Sequence, residues 1–375
     1  MQRIVVTGAS GLLGWHARAA MHAANCAAQF AGRPAPYAII SLDRDQLQDP
    51  AVCADLLKNA DAVLHFAGVN RASEAEIARA NPAIAEALVA GARKAGRPDL
   101  HVLYANSTHS RSDSSYGRSK RQAGEILGDY FSRFTQFVLP HIFGEEARPH
   151  YNNVTATLID DVLAGRESQI NPDGRVELLH AGAVARMFLG AFAEAQMGEI
   201  APQGFVIAVP QLAETIVGFH KDYCANIVPD LPAPFDVNLF NCYRAATFPQ
   251  GWPRALDLKS DNRGNLFEAI KSRGTGQVFL SSTKPGITRG NHFHSRKIER
   301  FLVLQGAATI RIRRVLHSDV HAFEVSGDAP SFIDMPALHT HSIENTGSDE
   351  LITLFWTNEF FDPADPDTFA DMVIA

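Results

Sequence analysis

Two clusters of residues in this chain have the types and spacing of chemical sites, one near each end. At the start, Thr7-Gly8-Ala-Ser10-Gly11-Leu12-Leu13-Gly14 sets three glycines at a fixed interval, and farther on come Ser107 and Tyr116-Gly-Arg-Ser-Lys120. In the last third, Gly290-Asn-His292-Phe-His294 precedes Glu299 and Gly306, and Pro336-Ala-Leu-His339-Thr-His341 leads to Asn345. The first cluster suits a dinucleotide and a proton transfer. The second suits a divalent metal.

The glycine run follows the β-like stretch Arg3–Thr7 and opens a helical pattern at Gly14. Glycines there let the backbone approach a pyrophosphate at the positive end of a helix, so Gly8, Ser10, Gly11, Leu12, Leu13 and Gly14 are the expected cofactor contacts. The second predicted strand ends Ser41-Leu42-Asp43-Arg44. An acid there binds the adenine ribose hydroxyls of NAD, whereas an arginine holds the 2′-phosphate of NADP; Asp43 and Arg44 leave both open. Tyr116 and Lys120 share one helix face. The ammonium is expected to lower the phenol pKa, so that Tyr116 exchanges a proton near neutral pH. Ser107, at the end of a predicted strand, is placed to hydrogen-bond a substrate carbonyl, with Thr108 as the alternative.

His292 and His294 alternate in register and would share one face of a strand, with Glu299 and His341 arriving from later strands. Three imidazoles and a carboxylate suit Zn²⁺, and also Fe²⁺, Mn²⁺ or Ni²⁺. His339 is either a fifth polar group in that pocket or a lip residue facing solvent.

These clusters need two scaffolds, and 375 residues exceed what one core usually supports. From residue 1 to about 200 the pattern alternates strand and helix: strands at 4–7, 37–42, 62–67, 100–105 and 134–139, helices at 14–28, 50–58, 75–95 and 117–130. That rhythm predicts a doubly wound parallel α/β sheet, a Rossmann fold. The proline-rich stretch between Pro229 and Pro253 reads as a connector. Beyond it, short strands at 277–282, 299–304, 308–312, 321–324, 331–335 and 351–357 predict an all-β barrel or jelly roll. The expected domains are 1–246 and 247–375.

Net charge of −7 without a Lys/Arg block argues against nucleic acid and anionic membranes. No apolar run reaches the ~18 residues of a membrane helix, and the first strand runs directly into the glycine turn, unlike a signal peptide. The four cysteines form no CxxC pair, so reduced thiols in the cytoplasm are expected.

Gly8, Gly11, Gly14, His65-Phe-Ala67-Gly68, Ser107, Tyr116 and Lys120 together resemble the extended short-chain dehydrogenase/reductases that act on nucleotide sugars. Only nine positions separate Ser107 from Tyr116, shorter than that family's usual spacing. The histidine-rich tail resembles the two cupin motifs and implies a double-stranded β-barrel holding a metal on His292, His294, Glu299 and His341. Together the two halves resemble the CapF-type bifunctional enzymes of capsular-polysaccharide synthesis. Supporting stretches run from Ile4 to about Asp367, among them Leu139-Pro-His141-Ile-Phe-Gly144, Arg148-Pro-His-Tyr151-Asn152 and Lys284–His292.

The resemblance implies a UDP-linked 4-keto-6-deoxy-2-acetamido sugar as substrate and NADPH, with NADH as the alternative, as hydride donor. The cupin would epimerise C3 while C4 is still a ketone, because the C3 proton is acidic only then. The reductase would follow and give a UDP-2-acetamido-2,6-dideoxy-L-talose type product. Ala67 and Gly68 would join the cofactor contacts. Asn70, Arg71, His141, Arg148 and Asn152 would touch substrate, Arg148 either at the diphosphate or as a plain surface cation. His339 and Lys297 are the candidate bases, and a homodimer is implied. His141 stands where such reductases often carry Asn, and His180-Ala-Gly replaces an acidic pair, changes that bear on sugar preference. Two rival readings are a reductase whose cupin only binds, and a nucleotide-sensing or assembly protein on a reductase scaffold.

Overall fold

A computed structural model describes Met1 to Ile374. The chain forms two compact units, Met1–Thr157 with Ile170–Pro210, and Leu158–Gln169 with Gln211 onward.

In the first unit β1 (Gln2–Thr7), α1 (Leu12–Phe30), β2 (Tyr37–Leu42), α2 (Arg44–Gln48), α3 (Pro50–Leu57), β3 (Ala62–His65), α4 (Glu74–Ala95), β4 (His101–Ser107), α5 (Ser115–Tyr130) and β5 (Arg133–Leu139) follow in order. After them come β6 (His141–Phe143), α6 (Val154–Leu163), which passes into the second unit at Leu158, and then β7 (Arg175–His180), α7 (Ala181–Ala193), β8 (Gly198–Ile200) and β9 (Phe205–Ala208). The main sheet runs β2-β1-β3-β4-β5-β8, every pairing parallel. Its strands read as continuous apolar runs because both faces are covered. Ile4, Val6, Leu64, Leu103 and Phe137 share one core with Ala17, Met21, Val184 and Phe188. Val5, Val63, Val102 and Tyr104 share the other with Leu88, Ala123 and Leu127. The strand order reverses beside β1, so Thr7, His65 and Ser107 end their strands around one crevice, where such sheets bind ligands.

The second unit begins with α8 (Val209–Cys224), β10 (Ile227–Val228), α9 (Pro234–Thr247), β11 (Arg254–Ala255), β12 (Lys259–Asp261), β13 (Gly264–Leu266) and β14 (Lys271–Ser272). Then follow β15 (Gln277–Thr283), β16 (Thr288–Phe293), β17 (Glu299–Gln305), β18 (Ala307–Arg314), β19 (Val320–Ser326), β20 (Ser331–Met335), β21 (His339–Asn345), β22 (Leu351–Thr357) and β23 (Phe369–Ala370). Two five-stranded sheets, β11-β20-β17-β22-β15 and β19-β18-β21-β16-β23, make the expected jelly roll. Phe301 packs edge-on to Phe355, ring centroids 4.4 Å apart, and Ile310, Ile312, Ile333 and Ile343 are buried with them.

The connector reading of 229–253 gives way to a helix over much of its length. In α9, Leu239, Phe240, Cys242, Tyr243 and Arg244 are all buried. Pro234 sits at the first turn, where its missing N–H costs nothing. The compact units also divide at Pro210 instead of 246. The reason is a buried polar network that joins α8 and α9 to the outer face of one barrel sheet. Arg300 donates to both oxygens of Asp334 at 2.6 and 2.9 Å, and the Tyr223 hydroxyl donates to the same carboxylate at 2.5 Å. Arg244 donates to the Met335 carbonyl at 2.7 Å. Removing one member of such a network leaves a buried charge unmatched, so the helices and the sheet are kept together.

Candidate active site and metal centre

The glycine turn is shaped by close approach. Gly8 adopts φ +64°, and a Cβ there would lie 2.8 Å from the Ala67 nitrogen. A Cβ on Gly14 would lie 2.2 Å from the Gly8 carbonyl oxygen. The first turn of α1 has no side-chain cap and no acidic residue, which leaves its amides and positive end to an anion. Ser10 and Gly11 are exposed at this turn, with Leu12 and Leu13 half-buried behind it. Such a bare, glycine-lined helix start fits a pyrophosphate. Gly14→Ala is expected to destabilise the protein by about 1–3 kcal/mol through overpacking and to abolish nucleotide binding. Urea denaturation and fluorescence titration with NADPH check both effects.

Ala67 and Gly68 follow β3 beside this turn. The Ala67 amide donates to Thr7 Oγ1 at 3.2 Å, and a Cβ on Gly68 would be 3.8 Å from Lys120 Nζ. Asn81 on α4 grips the same loop at both groups of Val69, at 2.9 and 3.0 Å, and donates to Ser119 Oγ at 2.9 Å. It ties the nucleotide loop to the helix that carries Tyr116 and Lys120. Sequence reasoning missed it, since a lone Asn before Pro82 carries no spacing signal.

The Ser107 hydroxyl accepts from the His109 amide at 3.2 Å, and its own amide donates to Asn106 Oδ1 at 2.8 Å. Thr108, the alternative to Ser107, begins a 3₁₀ turn, Thr108–Arg111, and is exposed. That turn also explains the short spacing to Tyr116. It presses against the start of α5 so closely that a Cβ on Gly117 would lie 2.2 Å from the His109 carbonyl oxygen.

The expected fall in the Tyr116 pKa is not found. Burial pushes the phenol up, and the Ser107 hydrogen bond offsets only part of the rise. Lys120 is turned elsewhere: Nζ donates to the Ala105 carbonyl at 2.7 Å and lies 4.2 Å from the centre of the Tyr104 ring. Burial pulls the Lys120 ammonium down to about 7. Below pH 7 the lysine is charged in both the folded and unfolded chain, and the cost of burying it is paid in full. Between about 7 and its ordinary 10.5 the folded protein has released a proton that the unfolded chain retains, so stability rises with pH through that window. Wild type is therefore expected to gain stability relative to Lys120→Met between pH 6.5 and 9. Denaturation curves of the two that stay parallel would refute the assignment.

The expected substrate residues come together in one part of the unit. Arg71 donates to the His150 carbonyl, and Asn152 Nδ2 donates to the Asn70 carbonyl at 2.8 Å. The Arg71 and Arg148 guanidiniums lie 5.6 and 4.9 Å from the centre of the Tyr151 ring. Glu146, His150 and Asn152 all take positive φ in this loop, and such strain clusters at ligand sites. His141 lies near His109. Its Nε2 is buried without a hydrogen-bond partner, and burial followed by repulsion from His109 lowers its pKa. The His109 ring sits 6.0 Å from that of Tyr116.

In the barrel, the three imidazoles converge on one carboxylate oxygen. Glu299 Oε2 lies 4.0 Å from His292 Nε2, 3.1 Å from His294 Nε2 and 3.0 Å from His341 Nε2. The four ligand atoms fall within 4.8 Å of one another. The Nδ1 atoms of His294 and His341 donate to the carbonyls of Asp367 and His339 at 2.6 and 3.1 Å, which leaves Nε2 as the inward lone pair. The His341 Nε2 is buried and makes no hydrogen bond. Burial pushes the Glu299 carboxyl up, but His294 and His341 outweigh it and hold it well below the usual range. Burial, and then His341 and His294, lower the His292 pKa to about 3, so its ring is neutral. Burial lowers the His294 pKa, but Glu299 outweighs it and the net shift is upward. Three imidazoles around an ionised carboxylate are a donor set that fits Zn²⁺ or a related cation. The route to this face differs from the expectation for His294, which lies beyond the end of β16, after a bulge between Gly290 and His292. Close approach makes Gly290 necessary there, since a Cβ would be 2.8 Å from the His341 carbonyl oxygen.

Two family models match, one described as NAD dependent epimerase/dehydratase family over residues 4–208 and the other as polysaccharide biosynthesis C-terminal domain over 259–369. The chain belongs to the NAD dependent epimerase/dehydratase family. It is similar, at 29% identity over 98% of both chains, to a UDP-2-acetamido-2,6-beta-L-arabino-hexul-4-ose reductase of Pseudomonas aeruginosa strain PA103. Among solved structures it is similar to the capsular polysaccharide assembling protein CapF from Staphylococcus aureus, with TM-score 0.58, 26% identity, and 99% of this chain and 100% of that chain covered. A structure of CapF with the inhibitor 3-isopropenyl-tropolone has TM-score 0.53 and 27% identity over 99% and 100% of the two chains. The Rossmann unit is thus the NAD(P)-dependent part of an epimerase/dehydratase-family enzyme.

Four further expected residues are placed as follows. Asp43 caps α2, accepting from the Gln46 amide at 2.8 Å, while Arg44 stands exposed beside it. His339 is 3% exposed, which excludes the solvent-facing lip. Its Nδ1 donates to the Ala337 carbonyl at 2.9 Å, its ring packs 5.2 Å from Phe248, and it lies outside the convergent cluster. Lys297 is buried as well and donates to the Pro366 carbonyl at 2.8 Å. No helix among the described residues is long and apolar enough to cross a membrane.

Proposed function

We propose that this enzyme converts a UDP-linked 4-keto-6-deoxy-2-acetamido sugar in two steps, inversion at C3 in the barrel and then reduction at C4 in the Rossmann unit. The observation that carries the reading is the pairing, in one chain, of a proton-transfer constellation beside a nucleotide turn with a three-histidine, one-carboxylate cluster. The name of the Pseudomonas relative, a hexul-4-ose reductase, supplies the sugar class. The C3 proton lies α to the C4 ketone, so its removal is feasible only before reduction. Reprotonation on the other face inverts C3. His292, His294, Glu299 and His341 would hold a divalent cation, Zn²⁺ first among the candidates. When bound, such a cation stabilises negative charge developing on a carbonyl oxygen. His339 and Lys297 are the candidate bases, to be separated by single variants.

At C4, Ser107 and the Tyr116 hydroxyl orient the carbonyl oxygen, and Tyr116 gives it a proton as NADPH gives a hydride. NADPH is preferred because the Asp43 carboxylate is committed to a helix cap while Arg44 is exposed for a 2′-phosphate. Arg71 and Arg148 would face the diphosphate. A homodimer is proposed too, with the edge strand β15 exposing Val278, Phe279 and Leu280 as a candidate face. The product would serve capsule or O-antigen synthesis in the cytoplasm. The test is incubation of purified protein with the UDP-4-keto sugar and NADPH in deuterated water. Deuterium at C3 with inverted configuration by NMR, together with one NADPH oxidised per product, is expected. NADPH oxidation without C3 exchange would leave only the reductase.

A further inference from the structure

The last residues of the chain fasten the loop that carries His294. Asp367, 3% exposed, lies 68 positions after Glu299 in sequence yet accepts four hydrogen bonds from Ser295, Arg296 and Lys297. Its Oδ1 takes the Ser295 amide at 2.9 Å and the Ser295 hydroxyl at 2.6 Å, and its Oδ2 takes the Arg296 and Lys297 amides at 2.9 and 2.8 Å. Its backbone carbonyl accepts from His294 Nδ1 at 2.6 Å. The residue sits at φ +42°, a conformation that places carboxylate and carbonyl on the same loop at once. Immediately beyond, β23 pairs with β16, setting Phe369 opposite Phe293 and Ala370 opposite His292. The Asp371 amide donates to the Asn291 carbonyl at 2.9 Å.

We propose that Asp367 is a positioning residue for the metal centre, holding the His294–Lys297 loop so that His294 Nε2 points at Glu299. The argument rests on geometry. His294 lies past the end of its strand; its carbonyl accepts from the Leu338 amide at 2.7 Å, which holds the backbone but leaves the ring to be set by its own partners. The ring is set instead by the bond from Nδ1 to the Asp367 carbonyl, and that carbonyl is set by the carboxylate's grip on the next three residues. Partners of this kind orient ligands, and their loss commonly weakens metal binding by about 10–100-fold. The inference rests on the metal reading of the cluster, and its test keeps the two apart.

Full-length protein stripped by a chelator is titrated with Co²⁺ against a chromophoric competitor, and the visible d–d band is recorded. Wild type is compared with Asp367→Asn and Asp367→Gly. Both replacements tolerate positive φ, so a loss is traceable to the carboxylate and not to backbone strain. Asn keeps one accepting oxygen, and both variants keep the backbone carbonyl. Gly is expected to weaken Co²⁺ binding by about 10–100-fold with an altered d–d band, and Asn by less. Wild-type affinity and an unchanged band in both variants overturn the inference alone. Failure of wild type itself to bind Co²⁺ overturns the metal reading and the inference together. Should Gly fail to fold, the comparison of wild type with Asn decides.

Discussion

Tyr116→Phe is expected to lower the rate of C4 reduction by about 10²–10⁴-fold, the usual worth of a positioned acid, while leaving NADPH affinity within a few-fold. The hydroxyl is the only part removed, and Ser107 is the group that lowers its pKa against the effect of burial. With its pKa pushed up by burial, the phenol stays protonated at neutral pH. That state suits a group whose task is to donate a proton to an oxygen becoming an alkoxide. A tyrosinate would suit the reverse, oxidative direction. Single-turnover NADPH oxidation monitored at its absorbance band, with a separate fluorescence titration for binding, checks the split. A Phe variant within tenfold of wild type in the chemical step would remove Tyr116 from the mechanism. C3 proton exchange should continue in this variant, because it is assigned to the barrel. Loss of exchange would show that the two chemistries are not separable as proposed.

The parts of the fold that could be read from the sequence are those where local pattern and tertiary demand agree. Strand β2 falls at Tyr37–Leu42 and β22 at Leu351–Thr357, just where the apolar runs place them. The glycine interval predicts the turn because backbone contact at Gly8 and Gly14 excludes any side chain. The three-histidine, one-carboxylate cluster is legible for a similar reason, since side chains must alternate or recur at fixed spacing to meet at one point. What was not legible depends on distant partners. Helix α9 lies in a proline-flanked stretch, and its burial is decided by Arg244 reaching Met335. The Asp43-Arg44 pair leaves NAD and NADP both open in the sequence, and the capping box that Asp43 forms with Gln46, three residues on, is not among the signals read there. The Tyr116–Lys120 spacing sets both on one helix face, yet the ammonium is claimed by Ala105, a strand residue. Asp367 has no motif at all, because its partners lie about seventy positions upstream.

Glu299→Gln and His341→Ala are each expected to remove C3 proton exchange, by about 10³-fold or more, without impairing NADPH binding. The number follows from charge stabilisation of several kcal/mol at a developing oxyanion, where about 4 kcal/mol is a factor of 10³. Glu299 is the more revealing change. Its Oε2 is the atom on which all three Nε2 atoms converge, at 3.0 to 4.0 Å. An amide in its place is nearly isosteric but uncharged, so the loop and barrel keep their shape while the donor set loses its negative charge. His341→Ala tests the opposite term. It opens a cavity in a fully buried position and leaves the carboxylate with two imidazoles. Should Gln retain exchange while Ala loses it, the histidines and not the charge would be essential. Retention in both would make the barrel a binding module and leave reduction as the sole activity. Loss in both, with bound metal falling in parallel by elemental analysis and NADPH titrations unchanged, is what the convergence of these four side chains predicts.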